Sequence, residues 1–263
     1  MMLVQAAADA RSHADPSPAS TANVSVVIPT LNEERCIAWV LERLPDIVSE
    51  VILVDGRSTD RTIEIARAIR PDLKLVLEQA PGKGAALRAG FAAATGDYIV
   101  MLDADGSMHP DEIERFVNAL QDGLEFVKGS RFVEGGGTAD MSLIRRLGNG
   151  ALRTAVNRLY RTNLSDLCYG FIAFRRDRLS TLRLHSDGFE IETEMTVRAV
   201  TASLQIGEVA SYEAPRRYGE SNLHAWRDGR RVLRTLLRER LVLPATPCQL
   251  AHARGSREGR RAV

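Results

Sequence analysis

Two aspartates stand one residue apart in "GDYIVMLDADGSMHP", where Asp103 and Asp105 close an apolar run suited to a buried strand. Unpaired, such carboxylates repel and raise each other's pKa; around a divalent cation they become hard oxygen ligands. Mg²⁺ or Mn²⁺ takes one or two protein carboxylates and keeps positions for a diphosphate. The plainer reading is an acidic surface turn, eased by Gly106, that caps the next helix.

Other residues invite the same question. Asp55 ends an earlier apolar run and precedes "GRSTDRT". A carboxylate there can accept from a nucleobase or ribose, whereas Ser58, Thr59 and Asp60 suit the cap of the following helix. "PGKGAALRAG" opens a helix with glycines but lacks the spacing of a phosphate-binding loop, so Lys83 is either a contact to an anionic ligand or a solvated turn lysine. Arg131 follows a strand in "FVKGSRF", where a guanidinium can grip a phosphate with two donors. Arg145 and Arg146 open a basic amphipathic helix that suits an anionic lipid surface or an anionic acceptor, or else a solvated face. "SDGFEIETEM" supplies Glu190, Glu192 and Glu194: in a helix the first and last share a face and Glu192 points away, whereas in an extended segment all three line one face.

These residues need elements to hold them. "VSVVIP", "EVILVD", "LKLVLE" and "DYIVMLD" read as strands, rich in Val, Ile and Leu as a doubly covered sheet requires. Ile37, Val40, Leu41 and Leu44 mark a helix face between the first two, and further helices are expected over 62–69, 85–94 and 111–120. Alternating strands and helices predict an α/β fold with a mostly parallel, Rossmann-like sheet. Ligands of such sheets bind beyond the strands' carboxyl ends, where Glu33, Asp55, Asp103 and Asp105 fall. Near the C-terminus, Leu233, Leu236, Leu237 and Leu241 among six arginines predict an amphipathic helix.

At 263 residues and 44% hydrophobic, the chain can bury a single α/β core. A formal charge of +1, from 35 basic and 34 acidic residues, argues against a nucleic-acid binder. Three scattered cysteines without a CxxC pair suit a reducing compartment, and no apolar run reaches the roughly 18 residues of a membrane span. A cytoplasmic protein is expected, with peripheral contact at the inner face of the cell membrane. Residues 1–23 read as a disordered leader, 244–263 as a disordered basic tail, and 24–243 as the folded part.

Taken in order, "VVIPTLNEE", "VDGRSTDRT", "GKGAAL", "GDYIVMLDADGSMHP", "KGSRF", "SDLCYGFIAFRRD", "ETEMTVRA", "IGEV" and "RYGESNL" resemble the family 2 glycosyltransferases of the GT-A fold, and most closely their dolichol-phosphate mannose synthase-like branch. The resemblance implies an inverting, metal-dependent transfer from a UDP- or GDP-sugar. It sets Pro29, Leu31, Glu33 and Asp55 at base and ribose, Asp103, Ala104 and Asp105 at metal and diphosphate, and Arg131 and Arg216 at phosphates. Glu220, Ser221 and Asn222 fall where relatives read "GESK", so a lysine of that region is missing here, and Gly56 replaces a second acid after Asp55. A polyprenyl phosphate acceptor needs no base; a hydroxyl acceptor does, with Glu192, Glu194 or Asp166 to supply it. A sugar nucleotidyltransferase would need a glycine-rich basic loop after the first strand, and "PTLNEERC" has none. An inactive nucleotide-binding module sits poorly with Asp103, Asp105 and Arg131 all being present.

Overall fold

The computed structural model describes residues 23–139, 141–219, 225–242 and 251–252. Its centre is β1 (Val24–Thr30), which pairs in parallel with β2 (Val48–Asp55) on one side and with the later strand β4 (Tyr98–Met101) on the other. The connections are helical: α1 (Ile37–Leu41) joins β1 to β2, α2 (Thr62–Ile69) leads to β3 (Lys74–Leu77) beside β2, and α3 (Lys83–Ala93) leads to β4. After a 3₁₀ turn at 110–112 come α4 (Ile113–Gln121), β5 (Phe126–Ser130), the two-residue β6 (Gly137–Thr138) and the long α5 (Leu143–Tyr160). β7 (Ile172–Arg175) then runs antiparallel between β4 and β5. The short α6 (Leu179–Leu182) and α7 (Ile191–Thr201) precede β8 (Ile206–Ala210), which is parallel to β5. β9 (Tyr212–Glu213) pairs with β6 in a small second sheet, and α8 (Ala225–Val242) follows.

Period-two alternation sends neighbouring residues of β1 to opposite faces. Val27 packs under α3, α5, α7 and α8 with Phe91, Tyr160, Met195 and Leu236, whereas Val26 and Ile28 pack with Ile37 and Val40 of α1 and with Phe116 of α4. Both faces are therefore covered, which is why the strands read as continuous apolar runs. The expected mostly parallel α/β sheet is what forms, with β7 its antiparallel member in the order β10-β8-β5-β7-β4-β1-β2-β3. The last of these in sequence, β10 (Ala251–His252), lies at the edge beside β8. Of the expected leader only Asn23 is described, and of the expected tail only those two β10 residues. Helix α1 stops at Leu41 rather than Leu44, since the residue before Pro45 is disfavoured in helical geometry. Among the described residues no helix is long and apolar enough to cross a membrane.

Candidate active site

At the carboxyl edge of the sheet a pocket of about 490 Å³ opens where β1, β2 and β4 give way to loops. Pro29, Leu31 and Glu33 line it from β1 and its loop, and Asp103, Ala104 and Asp105 from the turn beyond β4. The remaining walls come from helix starts and from the return after β9: Lys83 of α3, Glu192 of α7, Arg145 of α5, and Arg216. Residues far apart in sequence thus converge because the parallel strands β1, β2 and β4 all end at the same edge of the sheet.

Two cations bind the acids in pairs. Nζ of Lys83 lies 2.6 Å from Oδ1 of Asp103 and 2.7 Å from Oε1 of Glu192. The Arg216 guanidinium lies 3.0 Å from Oε1 of Glu33 and 3.2 Å from Oδ2 of Asp105. Burial pushes the Asp103 carboxyl up to about 6 against the pull of Lys83, with Asp105 and Glu192 adding to the rise. Burial likewise raises Glu33 to about 6; Arg216 opposes and Asp105 assists. For Lys83, burial works against the ammonium, but Asp103 and Glu192 more than offset it and hold its pKa above the ordinary lysine value.

The donor set fits a hard divalent cation: Asp103 and Asp105 present carboxylate oxygens to one pocket and each pairs with a cation, while Oδ1 of Asp105 also accepts from the Ser107 N–H at 2.9 Å. Among the described residues no group of three or more His, Cys, Asp or Glu is arranged to hold an ion by itself. A Mg²⁺ or Mn²⁺ ion on this pair would complete its shell with substrate oxygens and water.

Asp55 lies just behind the pocket rim formed by Gly56 and Arg57. It is 2% exposed. Oδ2 accepts from the Ser58 N–H at 2.9 Å, and Oδ1 is buried with no hydrogen-bond partner. A buried carboxylate oxygen without a donor is costly. Asp60, by contrast, is occupied with structure: it accepts from the backbone of Thr62 and of Glu34, tying the start of α2 to the loop after β1.

Four of the expected site residues are placed otherwise. Arg131 does not face the pocket: it is 4% exposed, its Nε is 2.7 Å from Oδ2 of Asp166, and its Nη1 is 2.9 Å from Oε2 of Glu213. That pairing also removes Asp166 as a base, because its carboxylate is fully buried and held by two guanidinium nitrogens. Glu194 is buried on the other side of α7, where it accepts from the backbone of His185 and Ser186 and pairs with Arg198 at 3.0 Å. Arg146 is exposed on α5 and outside the pocket lining, one residue and about 100° of helix away from Arg145. Glu220, Ser221 and Asn222 lie outside the described residues.

Sequence reasoning missed Glu213, which lines the pocket and accepts from Arg131 and Thr138 while standing 3.7 Å from Nη2 of Arg145. Its only signal was a place three residues before Arg216. Cys168 and Tyr169 also line the pocket, from the "SDLCYGF" segment. Burial, reinforced by the charge of Asp166, pushes the Cys168 thiol up to about 12. A thiol held so far toward the protonated form reacts slowly, so iodoacetamide should label the Cys168 peptide at least about tenfold more slowly than an ordinary exposed cysteine at about pH 8. Peptide mass spectrometry over a time course checks this; labelling at the ordinary rate contradicts the burial.

Residues 25–183 match the family model described as glycosyl transferase family 2. Among curated proteins, the low-salt glycan biosynthesis hexosyltransferase Agl6 of Haloferax volcanii is 37% identical over 227 residues, covering 81% of this chain and 53% of Agl6. The glycosyltransferase AglJ of the same organism is 32% identical, covering 78% and 68%. A dolichol-phosphate mannosyltransferase of Pyrococcus furiosus is 30% identical, covering 76% and 59%. The chain thus spans about half the length of Agl6 and under two thirds of the mannosyltransferase. Among solved structures, glucosyl-3-phosphoglycerate synthase from Mycobacterium tuberculosis in complex with UDP superposes with a TM-score of 0.66 at 26% identity, covering 85% of this chain and 81% of that one. The same synthase has been solved with Mn²⁺, UDP-glucose and phosphoglyceric acid. The matched segment contains the acidic pair, the Asp55 turn and Lys83, whereas Glu192, Glu213 and Arg216 lie beyond it and reach the site through the fold. By sequence model, by relatives and by fold, the chain belongs to glycosyl transferase family 2.

Proposed function

We propose that this protein transfers a hexose from a UDP- or GDP-sugar, with a divalent cation, to a polyprenyl phosphate at the cytoplasmic surface of a membrane. The observation that carries the donor reading is the unpartnered buried oxygen of Asp55, next in sequence to Gly56 and Arg57 of the pocket that also holds Asp103 and Asp105. Uracil and guanine both carry ring N–H donors that such an acceptor can take. Asp103 and Asp105 would hold the cation, which as a Lewis acid stabilises the departing diphosphate. Lys83 and Arg216 put two further positive charges at the same wall.

The acceptor reading rests on what the carboxylates are doing. Asp166 and Glu194 are committed to buried ion pairs, and Glu192 is held by Lys83. An acceptor that is already an anion needs none of them as a base. Arg145 stands at the pocket wall on the first turn of α5, beside Leu143, Ile144 and Leu147, whose exposures are 71%, 65% and 66%. A phosphate at Arg145 with an apolar tail across those side chains matches that surface. Helix α8 adds Leu237 and Leu241, exposed among arginines, as a second membrane-facing stripe. In-line attack by the acceptor phosphate opposite the leaving diphosphate would invert the anomeric carbon.

A panel of UDP-, GDP- and dTDP-sugars with Mn²⁺ or Mg²⁺, each with and without a short polyprenyl phosphate, tests the proposal. Lipid-dependent consumption of one donor with an inverted product supports it. Transfer only to a hydroxyl or to a small phosphorylated acid such as phosphoglycerate would overturn the lipid acceptor. Asp55→Asn should weaken UDP or GDP binding about 30-fold by calorimetry, the scale of a charged hydrogen bond lost to a buried donor. Unchanged affinity would remove Asp55 from the base site.

A further inference from the structure

Lys83 stands where a lysine is unfavourable. It opens α3, whose first turn carries no acidic residue, and the positive end of a helix dipole disfavours a cation. The backbone beside it is constrained as well: Gly82 holds a φ of +114°, and a Cβ there would lie 2.1 Å from the carbonyl oxygen of Asp187. That carbonyl already accepts the N–H groups of Gly84 and Ala85, at 2.7 and 3.3 Å. The glycines of "PGKG" therefore seat the start of α3 against the 186–187 backbone rather than cradle a phosphate. Space is also kept at the far end of the side chain, where a Cβ on Gly170 would lie 2.5 Å from Oε1 of Glu192 and 3.2 Å from Nζ of Lys83. The fold thus makes room for one particular ion pair in the pocket wall.

We infer that Lys83 is the resident counter-ion of Asp103, yielding that carboxylate when a divalent cation binds, and that Glu192 is the positioning residue that holds Lys83 through the exchange. The inference rests on the reading of Asp103 and Asp105 as cation ligands. An ammonium held by Asp103 alone would be left as a buried uncompensated charge on losing it, and that is strongly unfavourable. Shared between Asp103 and Glu192, it keeps a partner at 2.7 Å when it gives one up. The same arrangement recurs at the neighbouring acid, where Arg216 is shared between Asp105 and Glu33. Each candidate cation ligand is thus bridged to a second carboxylate that is not one. Glu192 accordingly acts on the site through Lys83 rather than by taking a proton from the acceptor.

Mn²⁺ titration of the full chain without nucleotide, read by the electron paramagnetic resonance of free Mn²⁺, tests this directly. Lys83→Met should bind Mn²⁺ about tenfold more tightly than wild type, the scale of one competing charge-assisted contact. Lys83→Gln should do the same, should the methionine variant not fold, and Lys83→Arg should stay within about twofold of wild type because the competing charge remains. Glu192→Gln should weaken Mn²⁺ binding about fivefold, and most of that cost should vanish when Lys83 is also methionine. Unchanged Mn²⁺ affinity in both neutral Lys83 variants, or a Glu192→Gln cost that persists in full without Lys83, overturns the inference. Asp105→Ala separates the levels. If it abolishes Mn²⁺ binding while the Lys83 variants change nothing, the counter-ion role alone fails. If it leaves Mn²⁺ binding intact, the cation-ligand reading fails and the inference with it.

Discussion

Asp105→Ala should reduce sugar transfer about a thousandfold while leaving the protein folded, the scale seen when a group stabilising developing charge is removed from an active site. The fold should survive because the Asp105 carboxylate sits at the pocket wall, and Arg216, on losing it, keeps Glu33 at 3.0 Å. What disappears is one of the two hard oxygen donors at the carboxyl end of β4. Removing the metal from the wild type with EDTA should lower its rate to about that of the variant. Restoring Mn²⁺ should rescue wild type and not Asp105→Ala. A variant that keeps within about tenfold of wild-type turnover at the same Mn²⁺ concentration would show that the acidic pair is a turn and not a catalytic element.

The acidic pair and the sheet that carries it were legible in the sequence because both are local. An apolar run of strand length, a helix period such as Ile37, Val40 and Leu41, and two acids at i and i+2 can each be read within a dozen residues. Partnership is not local. Lys83 meets Glu192 across 109 residues and Arg216 meets Glu33 across 183, so no window of sequence contains either pair. The same limit explains Arg131. Its place at the end of β5 was correctly expected, but the residue after a strand can turn into the crevice or beneath it, and the direction is set by Asp166 and Glu213, 35 and 82 residues away. For the glutamates of α7 the helical reading did separate Glu192 from Glu194. Which of the two faced the pocket depended on how α7 packs against α8, where Glu194 meets Arg238 at 3.5 Å.

Arg131→Met should cost about 3–5 kcal/mol of stability, because it leaves the buried Asp166 carboxylate without its partner. At roughly 2–4 °C per kcal/mol for a domain of this size, the melting temperature should fall by about 10 °C. The guanidinium is also stacked over Tyr169, with its carbon 4.8 Å from the ring centroid, so methionine replaces the packing only in part. Asp166→Asn should destabilise similarly, whereas Arg131→Met combined with Asp166→Leu should recover part of the loss, with Glu213 left to Thr138 and Arg145. The pair also carries a pH signature. Burial disfavours the Asp166 carboxylate, but the hydrogen bonds and charge of Arg131 outweigh it and hold the carboxyl below the usual range. A carboxyl with a depressed folded value stabilises the fold fully above its unfolded pKa of about 3.9, and the contribution fades as pH falls through the folded value. Wild type should therefore lose stability towards acid more steeply than Asp166→Asn, and the two melting curves should converge at low pH. Were Arg131 a phosphate ligand instead, Arg131→Met would raise the KM for the sugar donor and leave the melting temperature nearly unchanged. A thermal melt beside a donor titration separates the two roles, and the geometry of Asp166 and Glu213 around the guanidinium favours the structural one.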